Sequence, residues 1–525
     1  MFPAALRVRH GEKQAQMASR RDQLNAYTFA KRRMLASFVQ SSPDASDEGA
    51  PRPLRALLPG AIVGVVVLAA FGAWGMFKPT APQGWDAPGQ KVIIASKSTT
   101  RYVVLTTDHK AQLHPVLNMA SAELVLDTQS GVDVVTVDES ILDSGKVPHG
   151  VTIGIPYAPD RLPSGEEAGR AKQWAVCERP SGSGSSIQKA AFVLAKRDQG
   201  KVKGAEEDLH AGELLYVATP DQKQYVVDAH GRAYQVAADD TLLLQTLVGA
   251  DREPQHVTKG WIATLHSGDP ISFPPITGTP GAAANAPGQL AAQDNRVGMV
   301  LRAPVNGKEQ YFVVLPGRVA PVSDFVAQLL LASKDLVSLG QAGHPQEVSA
   351  GAISRGRPFA AEHTWPTEKP SAVNVPSAGG GSRNTICNVL LHVDPGNGAT
   401  TLRTWAGADF PASLPAGSSS AYVTAGSGQL YRQFQGKETK AGPVFLVTDT
   451  GLRYALQSND DSATDDKGIG ISPQQRKQLQ QEAKLAQTRL GYANVHPAPI
   501  PAAWSEFLPT GPRLSTAAAR QPQGS

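Results

Sequence analysis

The sequence predicts an α+β, β-rich protein carried on one membrane-spanning helix, and three observations support that expectation. Residues 56–77, ALLPGAIVGVVVLAAFGAWGMF, carry no charge between Arg55 and Lys78. Beyond them, four segments open with an apolar, β-type run and then turn: RYVVL (101–105), QYVVD (224–228), QYFVVL (310–315) and PVFLVTD (443–449). These segments also match one another in pairs at fixed offsets, the mark of internal duplication.

From the N-terminus, SRRDQLNAYTFAKRRMLASFVQ (19–40) reads as a helix. Ser19 can serve as N-cap with Asp22 three residues on, and Leu24, Tyr27, Met34, Leu35 and Phe38 recur at helical spacing. Its basic residues suit anionic headgroups, and its apolar residues equally suit a partner protein. Met17 is an alternative start. Residues 41–53, SSPDASDEGAPRP, form a polar linker. The apolar run that follows reaches about 33 Å as a helix, enough to cross a bilayer core. A signal peptide would be shorter and nearer the start, and a buried core helix is the remaining alternative. Arg20, Arg21, Lys31, Arg32, Arg33, Arg52 and Arg55 precede the span, whereas Lys78, Lys91 and Lys97 follow it. The positive-inside rule therefore puts the N-terminus in the cytoplasm and the long C-terminal region outside. Trp74 and Trp85 flank the outer boundary, where an indole can bury its ring and keep its N–H hydrated.

The repetition is specific. Pro115, Val116, Asn118 and Leu124 recur as Pro321, Val322, Asp324 and Leu330, 206 residues later. Tyr225, Gly231, Tyr234 and Val236 recur as Phe445, Gly451, Tyr454 and Leu456, 220 residues later. The two cysteines, Cys177 and Cys387, follow Pro115 and Pro321 at nearly equal distances. A duplicated two-repeat unit with one cysteine per copy accounts for all three relations. It places a disulfide between equivalent positions across a pseudo-twofold axis. Two cysteines on the outer side fit a disulfide better than a metal site. Asn118 and Asp324 read as N-caps after Pro115 and Pro321, and Gly231 and Gly451 as turn residues. His114 gives way to Ala320 in the second copy, so a structural place suits it better than a chemical one.

At the C-terminal end, Ser472, Pro473 and Gly491 bracket a helix, with Leu479, Ala483, Ala486 and Leu490 as its stripe. The tail HPAPIPAAWSEFLPTGP (496–512) is expected as extended chain packed along a surface.

Composition and motifs leave little room for catalysis. A net charge of +4 over 525 residues gives no case for nucleic acid. Four Gly-Lys pairs (145–146, 200–201, 307–308, 436–437) lack the rest of a phosphate loop. HExxH, GxSxG and CxxC patterns are missing from the sequence. GSGSS (182–186) and AGGGS (378–382) read as flexible loops. Adjacent acids such as Glu206-Glu207-Asp208, Asp239-Asp240 and Asp460-Asp461 read as solvated faces. No catalytic, cofactor-binding or metal-binding residue is assigned.

The ordered set RRDQLNAYTFAKRR, one span, RYVVLTTDHKAQLHPVLNMASAEL, GIPYAPDRLP (154–163), WAVC (174–177), a second cysteine and LGYANVHPAPIPAAW…LPTGPRLSTAAA resembles the EccB family. EccB proteins are single-pass membrane subunits of type VII (ESX) secretion systems. The resemblance runs from about residue 17 to 519, and departs in the Gln-rich helix 472–490 and the Ala/Gly-rich stretch 278–292. It implies an elongated extracytoplasmic region of four repeat domains around a β-rich central domain, with a disulfide and quasi-twofold symmetry. The division expected is 1–55 cytoplasmic helix and linker, 56–77 span, 78–145 repeat 1, 146–200 connection with the first cysteine, and 201–250 repeat 2. After these come 251–295 central part, 296–340 repeat 3, 341–420 central part with the second cysteine, 421–471 repeat 4, and 472–525 helix and proline-rich tail. The implied partners are an FtsK/SpoIIIE-like ATPase (EccC), the membrane subunits EccD and EccE, a mycosin protease, and further copies of the chain. The implied role is a structural core subunit, with no cofactor. The family has also carried an ATPase label, and a membrane-anchored cell-wall binder or hydrolase is a further alternative.

Overall fold

The structure, a computed structural model, describes residues 20–39, 53–77, 81–127, 132–181, 186–203, 206–374, 383–415, 420–456 and 473–523. It divides into two units, Met1–Pro79 and Thr80–Ser525. The first holds helices Arg20–Val39 and Pro53–Phe77. In the shorter helix Leu24, Tyr27, Met34, Leu35 and Phe38 are all exposed. The longer one is the one helix among the described residues long and apolar enough to cross a membrane. Ser19, Met17 and linker residues 41–52 lie outside the described residues.

The second unit is built from five sheets among its described residues. Four share one path: three antiparallel strands, a helix, then a fourth strand returning parallel to the first, in spatial order 3-2-1-4. Sheet one runs through Lys91–Ala95, Arg101–Thr107, Lys110–Val116, helix Met119–Val125 and Asp133–Val137. Sheet two uses Glu213–Ala218, Gln224–Val227, Arg232–Val236, helix Thr241–Val248 and Gln255–His256. Sheet three uses Val300–Val305, Lys308–Leu315, Arg318–Val322, helix Asp324–Ala332 and Gln346–Glu347. Sheet four uses Gly428–Phe434, Val444–Thr448, Arg453–Ala455, helix Pro473–Gln487 and Ala498–Pro501. Short turns can join antiparallel strands, but a parallel return needs a crossover, which the helix supplies.

A second shared device closes each sheet. After its fourth strand the chain makes one short helical segment and then runs parallel to the third strand, covering its edge. In each case a glycine N–H and the N–H of an apolar residue three positions later donate to alternate carbonyls of that strand. Gly150 and Ile153 donate to Leu113 and Pro115, and Gly268 and Ile271 to Ala233 and Gln235. Gly356 and Phe359 donate to Val319 and Pro321, and Gly511 and Leu514 to Arg453 and Ala455. Three residues on the cover span two on the strand, so the cover bulges, and a proline at 115 or 321 loses no hydrogen bond there. The glycine is needed for close approach. A Cβ on Gly150, Gly268 or Gly511 would come within 2.4–2.5 Å of the ring of His114, Tyr234 or Tyr454.

The sheets pack in pairs. Sheets one and four share one apolar core, with Val92, Val103, Leu124, Leu446, Tyr454 and Leu490 buried together. Sheets two and three share another, with Leu214, Leu243, Leu247, Val313, Phe325 and Leu330.

Some expectations need correction. Asp324 is not the N-cap of its helix. Ser323 is, its hydroxyl accepting from Val326 N at 3.2 Å, and Asp324 occupies the first turn. Serine wins because its extended backbone brings the short hydroxyl back over the open N–H groups, while a carboxylate one residue on favours the helix dipole. The tail does not merely lie along a surface. Ala498–Pro501 is a sheet strand, and Ile500, Trp504 and Leu508 are buried. The fourth strands of sheets two, three and four, at 255–256, 346–347 and 498–501, fall beyond positions 250, 340 and 471. Gly491 adopts φ +78° at the end of the last long helix, whose cap position Ser472 is not among the described residues.

The covering glycines give a direct test. Gly268→Ala and Gly511→Ala are each expected to lower unfolding free energy by about 1–3 kcal/mol through overpacking against a tyrosine ring. Gly200→Ala, which meets nothing within 4 Å, should be near neutral in the same denaturant titration.

Candidate functional site

The fifth sheet holds the two cysteines. Hairpin Gln173–Ser181/Ser186–Leu194 and hairpin Thr385–Val393/Thr400–Gly407 meet through their first strands, which run antiparallel with Cys177 directly opposite Cys387. The order is therefore outer–inner–inner–outer, and strand Ala421–Val423 extends one side. The cysteines form a disulfide, their α-carbons 4.0 Å apart. It closes a separation of 210 residues, worth roughly 5 kcal/mol on the chain-entropy account. Phe192, Val389 and Trp405 bury it on one face.

Strand alternation sends the neighbours to the other face. There Trp174, Val176, Ile386 and Leu390 pack with residues of sheets two and four, including Trp261 and Trp504. Each of these tryptophans sits on a short helix, Lys259–Ile262 or Ala502–Ser505, seven residues before the covering glycine of its sheet. The residue after each cysteine is polar and fully buried: Glu178 and Asn388. Glu178 accepts from Thr258 N at 2.8 Å and from the Thr258 hydroxyl. Asn388 Nδ2 donates to Thr264 Oγ1 and to Trp261 O. The two side chains thus hold opposite ends of the segment that carries Trp261. Burial pushes the Glu178 carboxyl above the usual range, against the hydrogen bonds from Thr258.

The other residues singled out in the sequence occupy sheet turns and ends. Pro115 and Pro321 pair with Tyr102 and Phe312 near the ends of third strands. Asn118 Oδ1 caps its helix through Ser121 N at 3.0 Å, while its Nδ2 donates to Ile155 O at 2.7 Å, tying helix to covering segment. Gly231 and Gly451, at φ +71° and +80°, donate to Asp228 O and Thr448 O in matching hairpin turns. The left-handed conformation there suits glycine. His114 is buried, with Nδ1 2.9 Å from Val151 O and Nε2 3.2 Å from Thr107 Oγ1.

Chemically able groups do not converge. Among the described residues no group of three or more His, Cys, Asp or Glu could hold a metal ion. Asp208 pairs with Arg403 at 3.1 Å, and Asp240 caps helix Thr241–Val248. Gly307 lies in a hairpin turn and Lys308 opens the next strand, paired with Val305, while Lys146 pairs with Asp86 at 2.7 Å. A cavity of about 290 Å³ is lined by His266, Thr400, Phe434 and Trp504. His266 Nε2 lies 2.7 Å from Thr400 Oγ1, and burial, aided by Arg232, lowers its pKa.

Sequence reasoning missed the four covering glycines, Trp261, and the Glu178–Asn388 pair. The recurrent spacing of glycine with an apolar residue three positions later was the available signal for the first. Nothing short of strand register marks the last.

One titration has a readable consequence. Half-buried Glu123, on helix Met119–Val125, is raised by desolvation from 4.5 to about 7. The folded state therefore holds a proton that the unfolded chain has released, and this group's contribution to stability falls as pH rises from 4.5 to about 7. Glu123→Gln should match the parent near pH 4.5 and exceed it above pH 7 by roughly 1–2 kcal/mol, read from unfolding midpoints.

With this geometry in view, the chain can be compared with known proteins. The family model described as "Type VII secretion system ESX-1, transport TM domain B" matches residues 16–524. The "ESX-1 secretion system ATPase EccB1" of Mycolicibacterium smegmatis (strain MKD8) is 24% identical over 474 residues, covering 86% of this chain and 88% of its own. The "ESX-3 secretion system ATPase EccB3" of Mycobacterium tuberculosis (strain ATCC 25618 / H37Rv) is 24% identical over 525 residues, covering 95% and 88%. A chain of an intact ESX-5 inner membrane complex superposes with a TM-score of 0.56 at 19% identity, over 98% of each chain. A chain of the EccB3 dimer from the ESX-3 core complex gives 0.53 at 23% identity, over 82% of this chain and 100% of that one. The chain belongs to the EccB family of the type VII secretion system.

Proposed function

We propose that this protein is a structural subunit of a type VII secretion complex, anchored by one helix and scaffolding the extracytoplasmic face of the machinery. The observation that carries the reading is the fold itself, shared over 98% of the chain with a component of an ESX-5 inner membrane complex. Its N-terminus lies in the cytoplasm and residues from 81 onward lie outside, in keeping with the charge bias around the span.

The four sheets are four repeats. Each comprises the meander, crossover helix, fourth strand and glycine-led cover, arranged around the disulfide-bearing sheet. A pseudo-twofold axis passes by the Cys177–Cys387 pair and exchanges repeat one with three and two with four. The pairing of cores supports this, because that exchange turns the one–four pair into the three–two pair. Trp261 and Trp504, seven residues before equivalent glycines, are exchanged as well. Such a rigid body suits a framework for other subunits. The partners we expect are an EccC-like FtsK/SpoIIIE ATPase, EccD- and EccE-like membrane subunits, a mycosin protease and further copies of the chain. The solved EccB3 assembly described as a dimer supports the last.

The names of the EccB1 and EccB3 relatives, which call them ATPases, favour a second reading, ATP hydrolysis. Against it, Gly200-Lys201 lies inside the 3-10 segment Lys196–Val202, the other glycines of such pairs sit in turns or bends, and none stands at the start of a helix as a phosphate loop requires.

Tagged protein extracted from membranes in mild detergent should bring down the EccC-like ATPase and an EccD-like protein in one particle. A lone chain under conditions that preserve other complexes, with ATP turnover that follows it through purification, would contradict the scaffold reading.

A further inference from the structure

A β-sheet edge is a row of unpaired N–H and C=O groups, and proteins usually blunt it. In all four sheets the third-strand edge is sealed by the glycine-led cover. The fourth-strand edges differ. In sheet four it is Ala498–Pro501, where Pro499 and Pro501 lack an N–H. In sheets two and three it is two residues long, and in sheet two Pro254 precedes it. Sheet one is the exception. Its edge strand Asp133–Val137 reads Asp-Val-Val-Thr-Val, five residues with no proline and no lysine, and Val134 is 47% exposed.

The phase of the exposed groups can be fixed. Strand Asp133–Val137 pairs in parallel with Lys91–Ala95, and Ser96 N donates to Val137 O at 3.0 Å. N–H and C=O of one residue point to the same side of a strand and alternate along it, so Val137, Val135 and Asp133 face the sheet. Val134 and Thr136 therefore turn two N–H and two C=O groups outward, and no strand pairs with them among the described residues.

We propose that this edge is a β-augmentation site that takes an extended, basic segment of another protein as an added strand. Charge selects the occupant. Asp133 opens the strand, Asp138 and Glu139 follow it directly, Glu139 accepting from Lys97 N and Ser98 N, and Asp143 lies on the next turn. Against them stand Lys91, in register with Asp133 on the neighbouring strand, and Lys97, which pairs with Asp138 at 3.9 Å. Lysine or arginine in an added strand complements this rim. A second copy of the same edge does not. Antiparallel self-pairing about Val135 sets Asp133 of one copy against Val137 and beside Asp138 of the other, and like charges facing across strands are destabilising. Side chains of the added strand that share a face with Val134 would bury its exposed isopropyl group. Peptide backbone supplies the affinity, so the occupant needs β-forming residues at alternate positions more than one fixed sequence.

The test uses the full chain in detergent and amide hydrogen exchange at Val134 and Thr136. The probe is an eight-residue peptide of alternating lysine and valine, with alternating glutamate and valine as its counterpart. The lysine peptide should slow exchange at both amides at least tenfold, less so at high salt, and the glutamate peptide should leave them unchanged. Thr136→Pro removes one outward donor without touching the ladder to Lys91–Ala95, and should abolish protection at Val134 while the amides around Cys177 exchange as in the parent. Should that variant fail to fold, Val134→Lys, a surface change, should weaken the lysine peptide at least fivefold. Equal protection by both peptides, protection by neither, or protection that grows with protein concentration without peptide would overturn the proposal, the last by making a second copy the occupant.

Discussion

The antiparallel pairing of strand Gln173–Ser181 with strand Thr385–Val393 is the constraint on which the rest of the unit from Thr80 onward depends. It joins segments separated by 210 residues, a long-range contact whose closure entropy is offset by the Cys177–Cys387 bond. One face of the pair buries the disulfide, and the other receives sheets two and four through Trp261 and Trp504. Because each strand begins a hairpin, fixing the central register also fixes the strands outside it. Glu178 and Asn388 carry that register outward, holding the two ends of the Trp261 segment with side chains one position past each cysteine.

The same economy governs the smaller sheets. A three-stranded meander with one helix leaves two open edges, and a glycine-led cover seals one of them in every case. The segment after the last cover belongs to this scheme. Pro522 bridges to Ile153, and Gln523 N donates to Thr152 O, while Arg520 reaches Val125 O. Arg489 adds a hydrogen bond to Leu124 O. The C-terminal segment therefore returns to sheet one, and the helix Met119–Val125 has its last carbonyls satisfied by arginines distant in sequence. In the scaffold we propose, such closure gives neighbouring subunits a body of fixed shape.

Much of this was legible in the sequence where a position tolerates few residue types. Pro115 and Pro321, or Gly231 and Gly451, stand out because a bulged edge and a left-handed turn restrict what fits, and their fixed offsets are what the proposed duplication rests on in the sequence. The first sheet's hairpin is four residues longer than the third's, which is why Tyr102 aligns with Phe312 rather than with a residue 206 positions on. Fourth strands of two residues carry no period-two pattern, so the boundaries expected at 250 and 340 leave out Gln255–His256 and Gln346–Glu347. The covers were hidden for a related reason: a glycine and one apolar residue at irregular distances from the rest of the repeat look like ordinary loop. Asp324 was misread because Ser323 beside it is an equally good cap by type, and only backbone geometry separates them. The Glu178–Asn388 pair needed the register of two distant strands, which no local pattern contains.

The central claim is that the cysteine-bearing strand pair couples the sheets of the unit from Thr80 onward into one cooperative body. The most direct measurement is thermal unfolding of the Cys177→Ala/Cys387→Ala double variant, followed by hydrogen exchange at sheet one and at sheet three simultaneously. The account predicts a lower midpoint and a single transition, with exchange in both sheets accelerating by the same factor. Two separate transitions, or acceleration in one sheet alone with the other at the parent's rate, would contradict it.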